Sequence, residues 1–244
     1  MSEDEEREAE FARIALGRGE SPTGALAIYR RLVRTGIGTT IFKLLPRSRA
    51  RMNALHDDAF DLTLVDFLHE VGPRSHHMRD VVFELMTFAE PRWREKDFDG
   101  ASIDLARYEA ACFALESAPD DTAIEIADVD LDRAVVLSRA VRLLQLQHAV
   151  HEVAENAADG EPIAERAVAL LLHRNAQHTI AGLELTPVLA GIMNALQEGR
   201  PLRAAIATGA EHANAIVDDA LLRVITIFLA DLGARGILRG GKAG

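Results

Sequence analysis

The stretch 166-RAVALLLHRNAQHTIAGLELTPVLAGIMNALQEGRPLRAAI-206 decides the fold. Its first half holds two apolar runs of strand length, "RAVALLLH" and "HTIAGLEL", on either side of a short turn, "RNAQ". An antiparallel hairpin over 167–185 is the simplest arrangement. Helix punctuation follows at once. Thr186 offers a capping hydroxyl, Pro187 occupies a first turn, Gly199 ends that helix and Pro201 opens another. Further on, Val217, Leu221, Val224, Ile225, Phe228, Leu229 and Leu232 recur at helical spacing up to Gly233. Hairpin, helix–turn–helix and last helix together predict a winged-helix-like α+β domain over 120–244. "VVLS" and "RLLQLQ" are additional strand candidates.

Working upstream, the texture becomes wholly helical. "TGALAIYRRLVRTGIGTTIFKLL" reads as one helix that stops at Pro46, with Gly36 and Gly38 as points of interruption. Phe60, Leu64, Phe67, Leu68 and Val71 make a second stripe ending at Gly72-Pro73. "SHHMRDVVFELMTFAE" makes a third, with Ser75 as its cap and Pro91 as its stop. Ile103, Ala106, Ala110 and Phe113 continue the pattern toward Pro119. Residues 1–119 are therefore expected to form a helical bundle domain. The acidic connector "DDTAIEIADVDLD" follows it, so the chain as a whole is α+β and mostly α.

The 244 residues are 48% hydrophobic and 27% charged, ordinary for a globular protein with a full core. No run is apolar enough to span a membrane, and "MSEDEEREAE" lacks the basic and apolar parts of a secretory signal. A lone cysteine, Cys112, sits among small apolar neighbours and reads as a buried structural thiol. The expected location is cytoplasmic. A net charge of −11, spread over both halves, argues against nucleic acid as a partner. One segment runs the other way. From Ser21 to His56 there is no acid, while Arg30, Arg31, Arg34, Lys43, Arg47, Arg49 and Arg51 all fall within it.

Chemistry is hard to find. His76, Asp80 and Glu84 share one helical face and, with His77, are the nearest approach to a metal set. They lack a second element, and Arg74 and Arg79 crowd them. His148 and His151 lie beside Glu152 and Glu155 and read as surface or packing residues. His173 and His178 flank the hairpin turn and are placed to pair across it. No zinc-protease, dithiol, nucleophile-elbow or phosphate-loop motif is present. The second helix of the helix–turn–helix, "PLRAAIATGA", offers Arg203 and then alanine and isoleucine, which is poor material for reading a DNA groove. A DNA-binding regulator using that helix–turn–helix is the alternative reading, and a metalloenzyme on His76, His77 and Asp80 a third. What the pattern does supply is a hairpin edge beside an apolar helix, a place where an extended peptide can add as a strand.

The order of four segments carries a resemblance. "ALAIYRRLV" (25–33), "LVDFLHEVGPRSHHMRDVVFELMTFAEPRW" (64–93), "IDLARYEAACFALESA" (103–118) and "LTPVLAGIMNALQEGRPLRAAI" (185–206) resemble the MbnC-like partner proteins of multinuclear non-haem iron-dependent oxidative enzymes. The N-terminal region of that family was formerly labelled DNA-binding. The likeness spans roughly residues 25–238, and "DLARYE" after the "EPRW" helix is its strongest element. The resemblance implies a non-catalytic subunit that holds no cofactor. Iron would reside in a separate TIM-barrel enzyme, bound as a heterodimer, which oxidises residues of a ribosomally made precursor peptide. The chain would help to hold the precursor's leader through its C-terminal domain. On that basis Val168, Leu170, Leu172, Ile180, Leu183, Leu189 and Ile192 are the expected peptide contacts. Arg30, Arg34, Arg74, His76, Arg79 and Trp93 are the expected docking residues, with 72–93 acting as a scaffold joint.

Overall fold

The computed structural model describes residues 22–75, 78–121, 126–154 and 160–242. The chain divides into two compact units, Met1–Ala110 with Val150–Glu165, and Ala111–Ala149 with Arg166–Gly244. The fold is α+β and mostly helical, with small antiparallel sheets toward the C-terminus.

Five helices account for the described part of the first unit and run slightly past it: α1 (Gly24–Leu44), α2 (Pro46–Leu55), α3 (Ala59–Glu70), α4 (Met78–Glu95) and α5 (Gly100–Glu116). Gly36 and Gly38 do not interrupt α1. A methyl on Gly38 would sit at ordinary contact distance, 3.7 Å, from Leu64. Pro46 acts as a start as well as a stop, because its fixed φ suits the first turn of α2. In α3, Phe60, Leu64, Phe67 and Leu68 are buried. Gly72 then takes the left-handed conformation and donates its N–H to the Phe67 carbonyl at 2.7 Å, which closes the helix.

Pro91 lies inside α4 and does not end it. A proline there removes a ladder bond and costs about 3 kcal/mol. The residues just beyond it offset that cost. Trp93 is 1% exposed, packs 5.8 Å from Phe60 and donates its indole N–H to Thr63 Oγ1 at 2.9 Å. The Arg92 guanidinium lies 3.6 Å from the centre of the Phe88 ring and donates to the Phe88 carbonyl. Trp93 is thus core of this bundle, which corrects its expected role at a docking surface: its polar edge and its ring faces are both used internally.

The basic segment is also largely consumed within the unit. Arg47 donates to the Val153 carbonyl, Arg49 pairs with Asp61 at 2.7 Å, and Arg51 pairs with Asp99 at 3.0 Å. Glu109, from the "DLARYE" segment, reaches α2's N-terminus. Its carboxylate accepts the backbone N–H groups of Arg47 and Ser48, at 3.1 and 3.0 Å, and the Ser48 hydroxyl. Burial pushes the Glu109 carboxyl up, against the pull of those Ser48 and Arg47 hydrogen bonds.

Among the described residues, the second unit holds two three-stranded sheets. One has the order β1–β6–β2, from Ile126–Ala127, Leu238–Lys242 and Val135–Leu137. The other has the order β3–β4–β5, from Val141–His148, Glu165–Arg174 and Ile180–Leu185. Helices α6 (Pro187–Gln197), α7 (Leu202–His212) and α8 (Asp219–Ala234) complete it. Leu171, Ile192, Met193, Leu196, Ile225, Phe228 and Leu232 form its apolar centre. The strand "LRGGK" has almost no side-chain signal, because Gly241 must let β1 approach: a methyl there would lie 2.5 Å from the Asp128 carbonyl oxygen. Cys112 is half-buried rather than fully enclosed.

Candidate functional site

The hairpin is present, and its geometry identifies the usable edge. Asn175 donates its N–H to the Thr179 carbonyl at 2.9 Å, and its side-chain oxygen accepts the N–H groups of Gln177 and Thr179. His178 takes the left-handed conformation at φ 59°. The loop is therefore 176–178, starting two residues and ending one residue later than the "RNAQ" reading of 174–177, in the three-residue form with a left-handed last position. His173 and His178 do not pair across it. His173 is 2% exposed, and burial together with Arg235's charge holds its imidazole below the ordinary histidine range, while His178 is exposed.

β4 is the middle strand, with β3 on one side and β5 on the other. Leu171 faces the helical core, and Val168, Leu170 and Leu172 on the alternate face are buried as well. These three residues, expected as peptide contacts, are committed to packing on a strand whose two sides are already laddered. Ile192 is likewise at 0% exposure. A charge or proline at Leu170 would test the core and not the edge.

β5 has β4 as its one strand partner among the described residues. Its register pairs Leu171 with Leu183, Leu172 with Gly182, and Arg174 with Ile180. In an antiparallel ladder, hydrogen-bonded and non-hydrogen-bonded pairs alternate. Since Asn175 and Thr179 exchange a hydrogen bond, Ile180, Gly182 and Glu184 direct their backbone N–H and C=O groups away from β4. Leu183 and Leu185 pack against the core and keep part of their surface exposed, as does Leu189 at the start of α6. Ile180 is half-buried on the opposite face. Of the seven residues expected to touch peptide, Ile180, Leu183 and Leu189 remain open to contact.

The helix–turn–helix is assembled by close packing. Thr186 caps α6 by accepting from the Leu189 N–H. Gly191 and Gly209 meet where α6 and α7 cross, and a methyl on Gly191 would lie 2.9 Å from the Gly209 α-carbon. Arg203, the one cation the second helix offered for DNA, is held by Asp132 at 2.7 Å, and the same contact lowers the Asp132 carboxyl. The outward side of α8 is unexpectedly apolar, with Val224 and Ile227 exposed, the latter at 70%. A sequence signal existed, since the apolar residues of 216–232 occupy more than one helical face.

The expected docking residues are scattered in character. Arg30 is buried. Arg34 is half-buried, donates to the Leu68 carbonyl at 3.3 Å, and is shifted down by burial and by Arg30's charge. Ile28 and Leu32, on the same helix, are each 64% exposed. Arg74 is exposed, with its N–H on Glu84 at 2.7 Å. Ser75 donates its hydroxyl to Asp80 at 2.8 Å and its amide to Glu84. Both acids of the considered metal set are therefore engaged locally. His76 and His77 lie outside the described residues, as does the Arg79 side chain.

Residues 138–233 match the family model described as the HvfC C-terminal domain. No curated protein matches the chain. The matched segment begins before β3 and runs nearly to the end of α8, so it contains the hairpin, its β5 edge and the helix–turn–helix. An HvfC-like domain fits a protein partner of an enzyme in a biosynthetic system. Among the described residues, no helix is long and apolar enough to cross a membrane.

Proposed function

We propose that this chain is a non-catalytic partner subunit in peptide modification. It holds the leader of a ribosomally made precursor as an added strand on β5 and delivers it to a separate iron-dependent TIM-barrel oxidative enzyme. The observation that carries the reading is the outward-directed backbone of Ile180, Gly182 and Glu184 within an HvfC-like domain. Backbone pairing at such an edge provides affinity with little demand on sequence, and Ile180, Leu183 and Leu189 provide selectivity. Arg34 and Arg74, with the apolar side of α1 at Ile28 and Leu32, are the surface assigned to the enzyme. Aromatic and arginine anchors at interface centres commonly cost about 2 kcal/mol or more when truncated.

The test is co-expression with an iron-dependent TIM-barrel oxidative enzyme and a small precursor peptide taken from the same genome. The expected result is a mass change in the peptide only when all three are present, and copurification of the enzyme that Arg74→Ala weakens. Equal modification without this chain would overturn the reading. Unchanged recovery with Arg74→Ala would remove that residue from the contact.

A further inference from the structure

A second opening in the same unit lies away from β5. It is a cleft of about 480 Å³ whose lining includes Leu137, Val141 and Leu143 together with Ser138, Arg139 and Arg142. That volume falls in the range of true ligand sites. Val141 and Leu143 point to one side of β3 and Arg142 to the other, because successive side chains alternate. Three consecutive residues can line one cleft only where it wraps the margin of the strand. Among the described residues, β3 is the outer strand of its sheet, with β4 as its one strand partner. The cleft therefore sets the half-buried aliphatic side chains of Leu137 and Leu143 among polar groups along a strand margin.

Its charge runs against that of the protein. The chain carries a net −11, and most arginines of this unit are bound to acids: Arg166 to Glu184, Arg174 to Asp120, Arg203 to Asp132 and Arg235 to Asp231. Among the described residues, the guanidinium groups of Arg139 and Arg142 are in no such pair, and both side chains are exposed. The nearest acid, Asp121, accepts the Arg139 backbone N–H at 2.9 Å and lies 4.0 Å from Arg239.

We propose that this cleft binds an extended acidic peptide segment, with aliphatic side chains on Leu137 and Leu143 and carboxylates on Arg139 and Arg142. The site is separate from the β5 edge and stands independently of it. The probe is a fluorescein-labelled hexapeptide of alternating leucine and glutamate, titrated with the full-length protein at low salt and followed by anisotropy. The matched leucine–lysine hexapeptide serves as control. The acidic probe is expected to bind and the basic one not to. Arg139→Glu with Arg142→Glu should weaken binding about tenfold or more, since attraction becomes repulsion. Arg142→Gln alone should lower it by a smaller factor in a fold unchanged by circular dichroism. Ile180→Pro should leave it intact. Failure of the acidic probe to bind, equal binding of both probes, or equal binding by the arginine variants would overturn the proposal. Loss with Ile180→Pro alone would place the peptide on β5 and overturn it too.

Discussion

Asn175 and Thr179 close the hairpin with one backbone hydrogen bond of 2.9 Å, and that bond determines which amides of β5 face outward. Ile180, the next residue, has its N–H directed away from β4. Proline at such a position leaves the ladder intact. Ile180→Pro should keep the thermal midpoint near that of the wild type while weakening leader binding about three- to tenfold, the scale of one lost hydrogen bond. Leu170→Pro should instead collapse the second unit. Calorimetry of both variants, with and without peptide, checks the contrast.

The crossing of α6 over α7 allows no side chain at Gly209. A methyl there would meet Ile192 Cγ1 at 2.5 Å and the Val188 carbonyl oxygen at 2.6 Å. Backbone cannot swing aside as a side-chain tip can. Gly209→Ala is expected to destabilise the protein by about 1–3 kcal/mol, the usual range for overpacking. Denaturant unfolding followed by circular dichroism reads this out.

Glu109 introduces a pH dependence. Its folded-state carboxyl is raised above the unfolded value, because burial outweighs the hydrogen bonds from Ser48 and Arg47. A raised acid contributes stability that is fully present below its unfolded pKa and is lost as pH rises through the folded one. Glu109→Gln should flatten the stability–pH curve across that interval. It should also lower stability by about 1–3 kcal/mol, since an amide nitrogen would face one of the α2 N–H groups and leave it without an acceptor. Urea midpoints measured on both sides of the carboxyl range test the sign.

Trp93 separates core from contact surface. Trp93→Phe keeps most of the apolar volume and drops the hydrogen bond to Thr63 Oγ1. The expected loss is about 1–2 kcal/mol in stability, with enzyme recovery unaffected. Reduced recovery with unaltered unfolding would instead return Trp93 to the docking surface.

Arg203 and Asp132 bear on the DNA-binding alternative. With the guanidinium already on Asp132 at 2.7 Å, the second helix of the helix–turn–helix presents no free cation. Promoter fragments should show no salt-dependent retardation. A shift that Arg203→Ala abolishes would restore that alternative.

The elements most legible in the sequence were those with strong punctuation. Thr186, Pro187 and Gly199 mark α6 as expected, and Gly72 ends α3. Phe60, Leu64, Phe67 and Leu68 of α3, and Val81, Val82, Leu85, Met86 and Ala89 of α4, are buried as their spacing implied. Pro91 misled because a tertiary gain, the burial of Trp93, outweighed a local rule. β6 escaped because its residues are selected for close backbone approach, not for side-chain packing. The candidate site was half legible. Hydrophobic runs showed that 167–185 forms a hairpin, but the sides of β4 are decided by its pairing with β3, a relationship between distant segments. For that reason Val168, Leu170 and Leu172 looked like contacts and are core.

The central claim is that an extended peptide adds to β5. Hydrogen exchange resolved to single amides, on the full chain with and without its precursor leader, addresses it directly. The account predicts that the Ile180 and Gly182 amides slow by about tenfold or more when leader is bound, while those of Ala181 and Leu183, already laddered to β4, change little. Saturating leader that leaves Ile180 and Gly182 exchanging as before, with protection arising elsewhere, would contradict it.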